Sequence, residues 1–428
     1  MSFTQTQTPP PPGAASGLWM SLEQIQNIAL WLFIFSGWLV IIEPAPYELL
    51  FVVTLLLFIP RGLTATALIA PLIAFIAFYN VGGFFSAMQV VEPQGKAFKF
   101  VIISTYMGVT AIFFAMAATQ NPLRISRIMR NAWILAAVIA SINGLIGYFD
   151  VAGMGDAWAP IQRAQGTFKD PNVLSTFLVA PFVLLVQGFM LGTQRRPFLS
   201  AIALLIISAG LFFAFSRGAW VVSIGSVILI AGLTFITTPS AALRSRIILI
   251  TIAGVLALAA LLAILLSIPS IRAMFQERFA LIQPYDGGET GRFANQLRSL
   301  PLLMARPNGF GPYGFAAMFT EDPHNVYINA FSAYGWLGGL SYILLILSTL
   351  YAGLRSVFTE TPWRHYAIAF YAPLVMLILQ GLQIDTDHWR HFYILLGMTW
   401  GLFAASEMYR LRNGAWGDGA QDAGEEFG

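Results

Sequence analysis

The chain contains no cysteine. Disulfides, thiolate catalysis and cysteine-ligated metals are therefore excluded. Charge is the second shortage: charged residues make up 10% of the 428, whereas a soluble domain carries roughly 25%. Most of the chain thus has no face to present to water. The net charge of +3 is too small, and the arginines too dispersed among apolar runs, to point to nucleic acid, and no such partner is expected. What is abundant is apolar. Hydrophobic residues form 57% of the chain, with 35 Phe and 11 Trp, the composition of a surface facing lipid with aromatic residues at its interfaces.

A helix needs about 20 mostly apolar residues to cross the hydrocarbon core. Runs of this kind lie near 24–42, 47–60, 64–84, 98–118, 131–149, 172–192, 198–215, 218–237, 247–267, 333–354, 365–383 and 389–408. The expected fold is an all-α polytopic membrane protein with about twelve transmembrane helices, embedded in a lipid bilayer. The second run is short and stops at Pro60. Residues 1–22 lack the basic start of a signal peptide and read as a disordered cytoplasmic tail. The transmembrane region covers 23–408, and residues 409–428 read as a cytoplasmic tail, Gly-rich, acidic and disordered from Asn413 onward.

Arginine sets the orientation. Alternate connections hold Arg61, then Arg124, Arg127 and Arg130, then Arg195 and Arg196, then Arg244 and Arg246, then Arg355 and Arg364, then Arg410 and Arg412. The intervening short connections hold Glu43, Glu92 with Lys96, and Asp385 with Asp387. By the positive-inside rule the first set is cytoplasmic, as are both termini. Two connections on the opposite, periplasmic side are long: 150–171 and about 268–324. The second is large enough for short helices of its own, expected over 270–282 and 291–305, the latter amphipathic and lying near the membrane surface.

Five constellations could carry chemistry. In Arg163-Ala-Gln-Gly-Thr-Phe-Lys-Asp170-Pro-Asn172, Asp170 or Asn172 suits a helix cap, and Arg163 is either solvated or part of a site. Ser216-Arg217-Gly218 sits between two apolar runs with almost no loop. An arginine there either snorkels to headgroups or serves an anion-binding cavity, with small neighbours allowing a bulky group to approach. Gly291-Arg292, followed by Arg298 and Arg306, offers guanidinium groups that can bracket a diphosphate or rest on anionic lipid. His324-Asn325, with Gly335 and Gly338 following, places a potential base at the mouth of a span. Asn325 can cap or orient, the glycines permit close helix packing, and the plain alternative is a structural histidine. Asp385-Thr-Asp387-His388-Trp-Arg390-His391 could hold a divalent metal, but reads better as a turn in which Arg390 neutralises the aspartates, so no metal site is expected. All five fall on the face that the arginine pattern makes periplasmic.

The combination Gly166-Thr-Phe168-x-Asp170-Pro171-Asn172, Ser216-Arg217-Gly218, Gly291-Arg292 and His324-Asn325-x9-Gly335-x2-Gly338 resembles the O-antigen ligase/polymerase superfamily. This superfamily includes O-antigen ligases, O-antigen and exopolysaccharide polymerases, and some O-linked protein oligosaccharyltransferases. The resemblance implies transfer of a glycan from an undecaprenyl-diphosphate-linked donor to a hydroxyl acceptor, either the lipid A core or another lipid-linked glycan. It implies the periplasmic face of the bacterial inner membrane and no metal or cofactor. It casts Arg217 and Arg292 as holders of the diphosphate, with Arg163 a third, and His324 as the group acting on the acceptor hydroxyl. With no obvious carboxylate nucleophile besides Asp385 and Asp387, direct displacement with inversion is the expected course. The competing reading is a multi-span transporter or flippase of lipid-linked sugars. It would need ionisable residues along a passage, and runs such as 198–215 and 247–267 contain none.

Overall fold

The computed structural model describes residues 20–41, 44–91, 94–279, 291–319 and 321–425. Most of the expected N-terminal tail, Glu43, Glu92 and the tip of the large loop at 280–290 lie outside the described residues, as do the side chains of Arg61 and of 414–425. Sixteen α-helices appear among the described residues. They are α1 (Leu22–Phe35), α2 (Pro46–Phe58), α3 (Ala70–Met88), α4 (Gln94–Gln120), α5 (Pro122–Tyr148), α6 (Gly155–Trp158), α7 (Pro171–Leu191), α8 (Pro197–Phe213), α9 (Arg217–Thr237), α10 (Ala241–Leu266), α11 (Pro269–Phe279), α12 (Arg292–Met304), α13 (Gly314–Phe319), α14 (Val326–Phe358), α15 (Arg364–Gln380) and α16 (Arg390–Glu425).

The protein is an all-α polytopic membrane protein. Each of the twelve apolar runs in the sequence corresponds to one helix, although among the described residues seven helices are, by length and composition, apolar and long enough to cross a membrane unaided. Two of the others are cut short for visible reasons. Helix α2 stops where Pro60 tightens the chain into a 3-10 turn, and α1 passes into a 3-10 turn at Ser36–Trp38. Helices α2, α5, α7 and α8 start on proline, whose fixed φ suits a first turn and whose missing N–H would have no partner there. Helix α10 is apolar all round and almost entirely exposed, as expected of a peripheral span against lipid.

Helix α16 runs on past Asn413, through Glu425. Extending a helix already nucleated by a packed span costs far less than starting one.

The arginine-bearing connections meet at one end of the bundle. Arg124 pairs with Glu23 at 3.0 Å, Arg130 donates to Gln194 at 2.9 Å, and Arg364 donates to the Thr237 carbonyl at 2.9 Å. The other end is tied together by different contacts. Thr167 donates to the Trp38 carbonyl, Gln89 to the Asn308 carbonyl at 2.8 Å, and His388 Nε2 lies 3.1 Å from the Phe100 carbonyl. All five candidate constellations lie at this second end.

Helix α14 makes the site possible. It packs against α3 so closely that a Cβ on Gly82 would lie 2.6 Å from the Gly338 nitrogen, and only small residues allow that approach. Gly335 does something different from the packing role expected of it. It breaks the helix at φ +66°, ψ −172°, a region open essentially to glycine alone. The freed Trp336 N–H donates to the Pro307 carbonyl at 2.7 Å, which anchors the end of the large loop onto the helix.

Candidate functional site

The connection between α15 and α16, residues 381–389, organises the site. The Gly381 carbonyl accepts the Val326 N–H at 2.8 Å, and the Leu382 carbonyl accepts Asn325 Nδ2 at 3.2 Å. The Gln383 carbonyl accepts Arg292 Nη1 at 3.3 Å. The Asp385 carboxylate accepts two backbone N–H groups, from His324 at 3.1 Å and from Asn325 at 3.0 Å. Asp387 accepts Asn329 Nδ2 at 3.3 Å and lies 3.1 Å from His388 Nδ1. One short connection thus holds the start of α12 and the start of α14 in a fixed relation.

Asn325 caps α14, its Oδ1 accepting from the Tyr327 N–H at 3.1 Å and the Ile328 N–H at 3.2 Å. The residue before that cap is His324, with φ +47°. Histidine tolerates this left-handed region better than most residues, yet it persists only where the surroundings impose it. Here the imposing group is Asp385. The His324 side chain is half-buried, and neither ring nitrogen bonds to any described residue.

Electrostatics links further groups to this ring. Burial, then the Arg292 charge, hold the His324 pKa below the ordinary histidine value, against the opposing pull of Asp322, Glu321 and Asp170. The ring is therefore neutral and able to accept a proton at neutral pH. Burial, then Asp387 and Asp322, push Asp385 up to about 8, against the two backbone N–H bonds that favour its charged form. Burial opposes a charge on His388, but Asp387 beside Nδ1 and the Phe100 carbonyl beside Nε2 outweigh it and raise its pKa. Both ring nitrogens of His388 face acceptors, an arrangement that favours its protonated form.

The first two constellations meet at the α8–α9 turn. Asp170 caps α7 by accepting the Asn172 N–H at 2.6 Å. Asn172 Oδ1 accepts Arg163 Nη2 at 3.0 Å, and Arg163 Nε donates to the Ala214 carbonyl at 2.7 Å. Arg163 is buried, so the solvated reading of it is set aside. Ser216 caps α9, accepting the Ala219 N–H at 3.4 Å, and Arg217 is the first, half-buried residue of that helix. A Cβ on Gly218 would lie 2.6 Å from Gln380 Nε2. The start of α9 therefore abuts the residue immediately before the organising connection.

Two further expectations are refined. Arg390 does not neutralise Asp385 and Asp387: its Nε donates to Glu48 at 2.8 Å, joining α16 to α2. The aspartates are instead occupied by backbone N–H groups, Asn329 and His388, and among the described residues no group of three or more His, Asp or Glu is placed to hold a metal ion. Arg298 and Arg306 turn away, Arg298 to Asn295 and toward the Phe319 ring, Arg306 over the Phe310 ring at 5.3 Å. The positioning role of Asp385 was missed in the sequence. The paired aspartates were visible there, but contacts about 60 residues apart in the chain leave no local spacing to read.

Helix α12 buries Asn295, Ser299 and Leu303 and exposes Phe293, Leu297, Leu300 and Met304. Its apolar face looks outward, the arrangement of a helix lying in a membrane interface. Between α12 and α14 runs an apolar groove of about 400 Å³, lined by Leu300, Leu303, Met304, Tyr327, Ile328 and Phe331. Its lining residue Tyr327 follows His324 by three positions in the chain.

Residues 202–343 match the family model described as O-antigen ligase. The matched stretch contains Ser216, Arg217, Gly218, Arg292, His324, Asn325, Gly335 and Gly338. Arg163, Asp170, Asn172 and Asp385 lie outside it. The match supports the O-antigen ligase/polymerase superfamily and an activity of that general type. No curated protein matches the chain.

Proposed function

We propose, for a chain whose residues 202–343 carry the O-antigen ligase family signature, that it transfers a glycan from an undecaprenyl-diphosphate-linked donor to a hydroxyl acceptor. The reaction takes place at the periplasmic face of a bacterial inner membrane. The acceptor is the lipid A core or a second lipid-linked glycan, and the two cases share the same chemistry. The observation that carries the reading is the neutral His324 ring, without a partner among the described residues, anchored through its backbone by Asp385 and within electrostatic reach of Arg292 and Asp170.

A sugar hydroxyl is a poor nucleophile. In this mechanism His324 takes its proton as the acceptor oxygen bonds to the anomeric carbon. The bond from that carbon to the diphosphate breaks, and its electron pair leaves with undecaprenyl diphosphate. Attack from the opposite face inverts the anomeric configuration. Negative charge grows on the leaving diphosphate, and fixed guanidinium groups stabilise it more in the transition state than in the ground state. Arg217 and Arg292 take that role, with Arg163 in support. Ser216, Gly218, Asp170, Asn172, Asn325, Gly335 and Gly338 hold the elements on which these groups ride. The apolar groove beside His324 suits the isoprenoid part of the donor.

The decisive test uses purified protein in liposomes with undecaprenyl-diphosphate glycan and, in separate arms, lipid A core and lipid-linked glycan as acceptors. Product of inverted configuration in one arm supports the reading. Movement of intact donor across the bilayer without product would instead identify a transporter. Reporter fusions at Arg127, Arg196 and Arg244 should report cytoplasm and one near Asp286 periplasm. A cytoplasmic signal near Asp286 would put His324 on the wrong side and end the proposal.

A further inference from the structure

At the end of α14 farthest from His324, Arg355 and Arg410 converge on one carboxylate. Arg355 Nε donates to Glu407 Oε1 at 2.8 Å, while Arg410 Nε and Nη2 reach Glu407 Oε2 at 2.9 and 2.7 Å. The Glu407 side chain is 9% exposed, but those of Arg355 and Arg410 are 45% and 50% exposed. Both terminal nitrogens of Arg355 are without a hydrogen-bond partner among the described residues. These guanidinium groups line a cavity of about 490 Å³ together with Phe358, Thr359, Tyr409 and Asn413. Glu360, which also lines the cavity, lies 4.0 Å from Arg364. Counting that pair with Arg355, Arg410 and Glu407, three arginines against two glutamates leave one net positive charge at the cavity.

The cavity continues into an apolar track. On α14, Leu347, Tyr351, Leu354 and Phe358 are all exposed, at intervals of four, three and four residues, so they form one stripe along the helix. Phe358 belongs to both the stripe and the cavity wall. A ligand that filled both would have an anionic head at the helix end and an apolar tail running toward the bilayer centre. A free anion would use the cavity and leave the stripe untouched.

We propose that Arg355 and Arg410 bind the phosphodiester headgroup of an anionic phospholipid from the leaflet opposite the His324 face, with its acyl chain along Phe358, Leu354, Tyr351 and Leu347. Basic pockets between membrane helices are suited to such headgroups, and the single net charge matches a monoanionic phosphodiester. The site stands apart from the catalytic constellation and rests on the membrane fold alone, not on the glycan-transfer reading.

The test is native mass spectrometry of the full chain titrated with phosphatidylglycerol, phosphatidylcholine or inorganic phosphate. Phosphatidylglycerol should bind best. Arg355→Gln, which leaves the Arg410–Glu407 pair in place, should weaken it about tenfold, the scale of one lost charge-assisted hydrogen bond. Glu407→Gln should act in the opposite direction and tighten binding severalfold, because it removes the internal competitor for both arginines. A mere ion-pair staple predicts no gain in lipid binding from that change. Equal binding of phosphatidylcholine, phosphate binding as tight as that of the lipid, or an Arg355→Gln protein that binds like the parent would each overturn the proposal. Arg244→Gln, on a different connection, should be silent. Should Glu407→Gln fail to fold, Arg355→Gln still decides the outcome.

Discussion

Asp385 holds His324 by the backbone. Its carboxylate accepts the His324 N–H at 3.1 Å and the neighbouring Asn325 N–H at 3.0 Å, which fixes a left-handed residue at the foot of α14 while leaving the imidazole uncommitted. A histidine held through its side chain would lose a ring nitrogen to the clamp. Holding it through the main chain separates positioning from reactivity.

Replacing Asp385 by Asn keeps one acceptor for these two donors and replaces the other with an amide that cannot accept. Transfer should fall by about tenfold, the scale of one lost hydrogen bond and the buried donor it leaves unsatisfied. Stability should show a separate signature. The folded pKa of Asp385 is raised to about 8, above the unfolded carboxyl value of about 3.9, so its contribution is complete below pH 4 and is lost as pH rises through about 8. The parent should therefore lose thermal stability relative to Asp385→Asn across that window. Parallel melting curves for the two proteins from pH 4 to 8 would dismiss the raised pKa.

Gly335→Ala tests the break in α14. The new Cβ would have to adopt φ +66° and approach the Pro307 carbonyl to 2.7 Å. A cost of about 1–3 kcal/mol follows from the backbone alone, with the carbonyl clash added. Lower melting temperature and weaker protection of the Trp336 amide in hydrogen exchange are expected. A variant as stable as the parent, with that amide still protected, would mean the helix accommodates the break some other way.

Much of the architecture was legible because lipid imposes a simple rule: each apolar run of sufficient length became a helix, and the arginine pattern sorted the ends. The turns Asp170–Asn172 and Ser216–Gly218 were also legible, since caps act over two or three residues. What could not be read was pairing across long separations. Arg390 stands within a few residues of Asp385 and Asp387, and proximity in sequence favoured their mutual neutralisation. In the fold, the first turn of α16 points Arg390 toward Glu48, some 340 positions earlier, and frees the aspartates for α14. Gly335 likewise looked like a packing glycine beside Gly338, because a broken helix and a tightly packed one both call for the same residue.

Arg217 begins α9 beside Ser216, Gly218 and Gln380, and Arg298 turns toward Asn295 on α12. If Arg217 grips the diphosphate, Arg217→Lys keeps the charge but loses the planar fork. Activity should then fall by about 10- to 100-fold, the scale of a lost bidentate contact. Arg298→Lys should change it little. The comparison needs matched membrane abundance of the two variants. Equal tolerance at both positions would reduce Arg217 to an anchor at the membrane surface.

His324 carries the sharpest expectation. If His324 is the general base, its loss in His324→Ala should lower transfer by about 10²–10⁴-fold, with donor binding preserved if the arginines hold the diphosphate. The pH profile of the parent should show an acidic limb below the ordinary histidine value of about 6.5, since burial and Arg292 both hold that pKa down. The limb should disappear from the residual activity of the alanine variant. Arg292 adds a second handle. Removing its charge in Arg292→Gln relieves one of the two causes of the depression, so the limb in that variant's remaining activity should move to higher pH. A purely structural histidine would produce neither change. An alanine variant that binds donor and transfers at the parent rate would send the search for the base to Asp385 or Asp387.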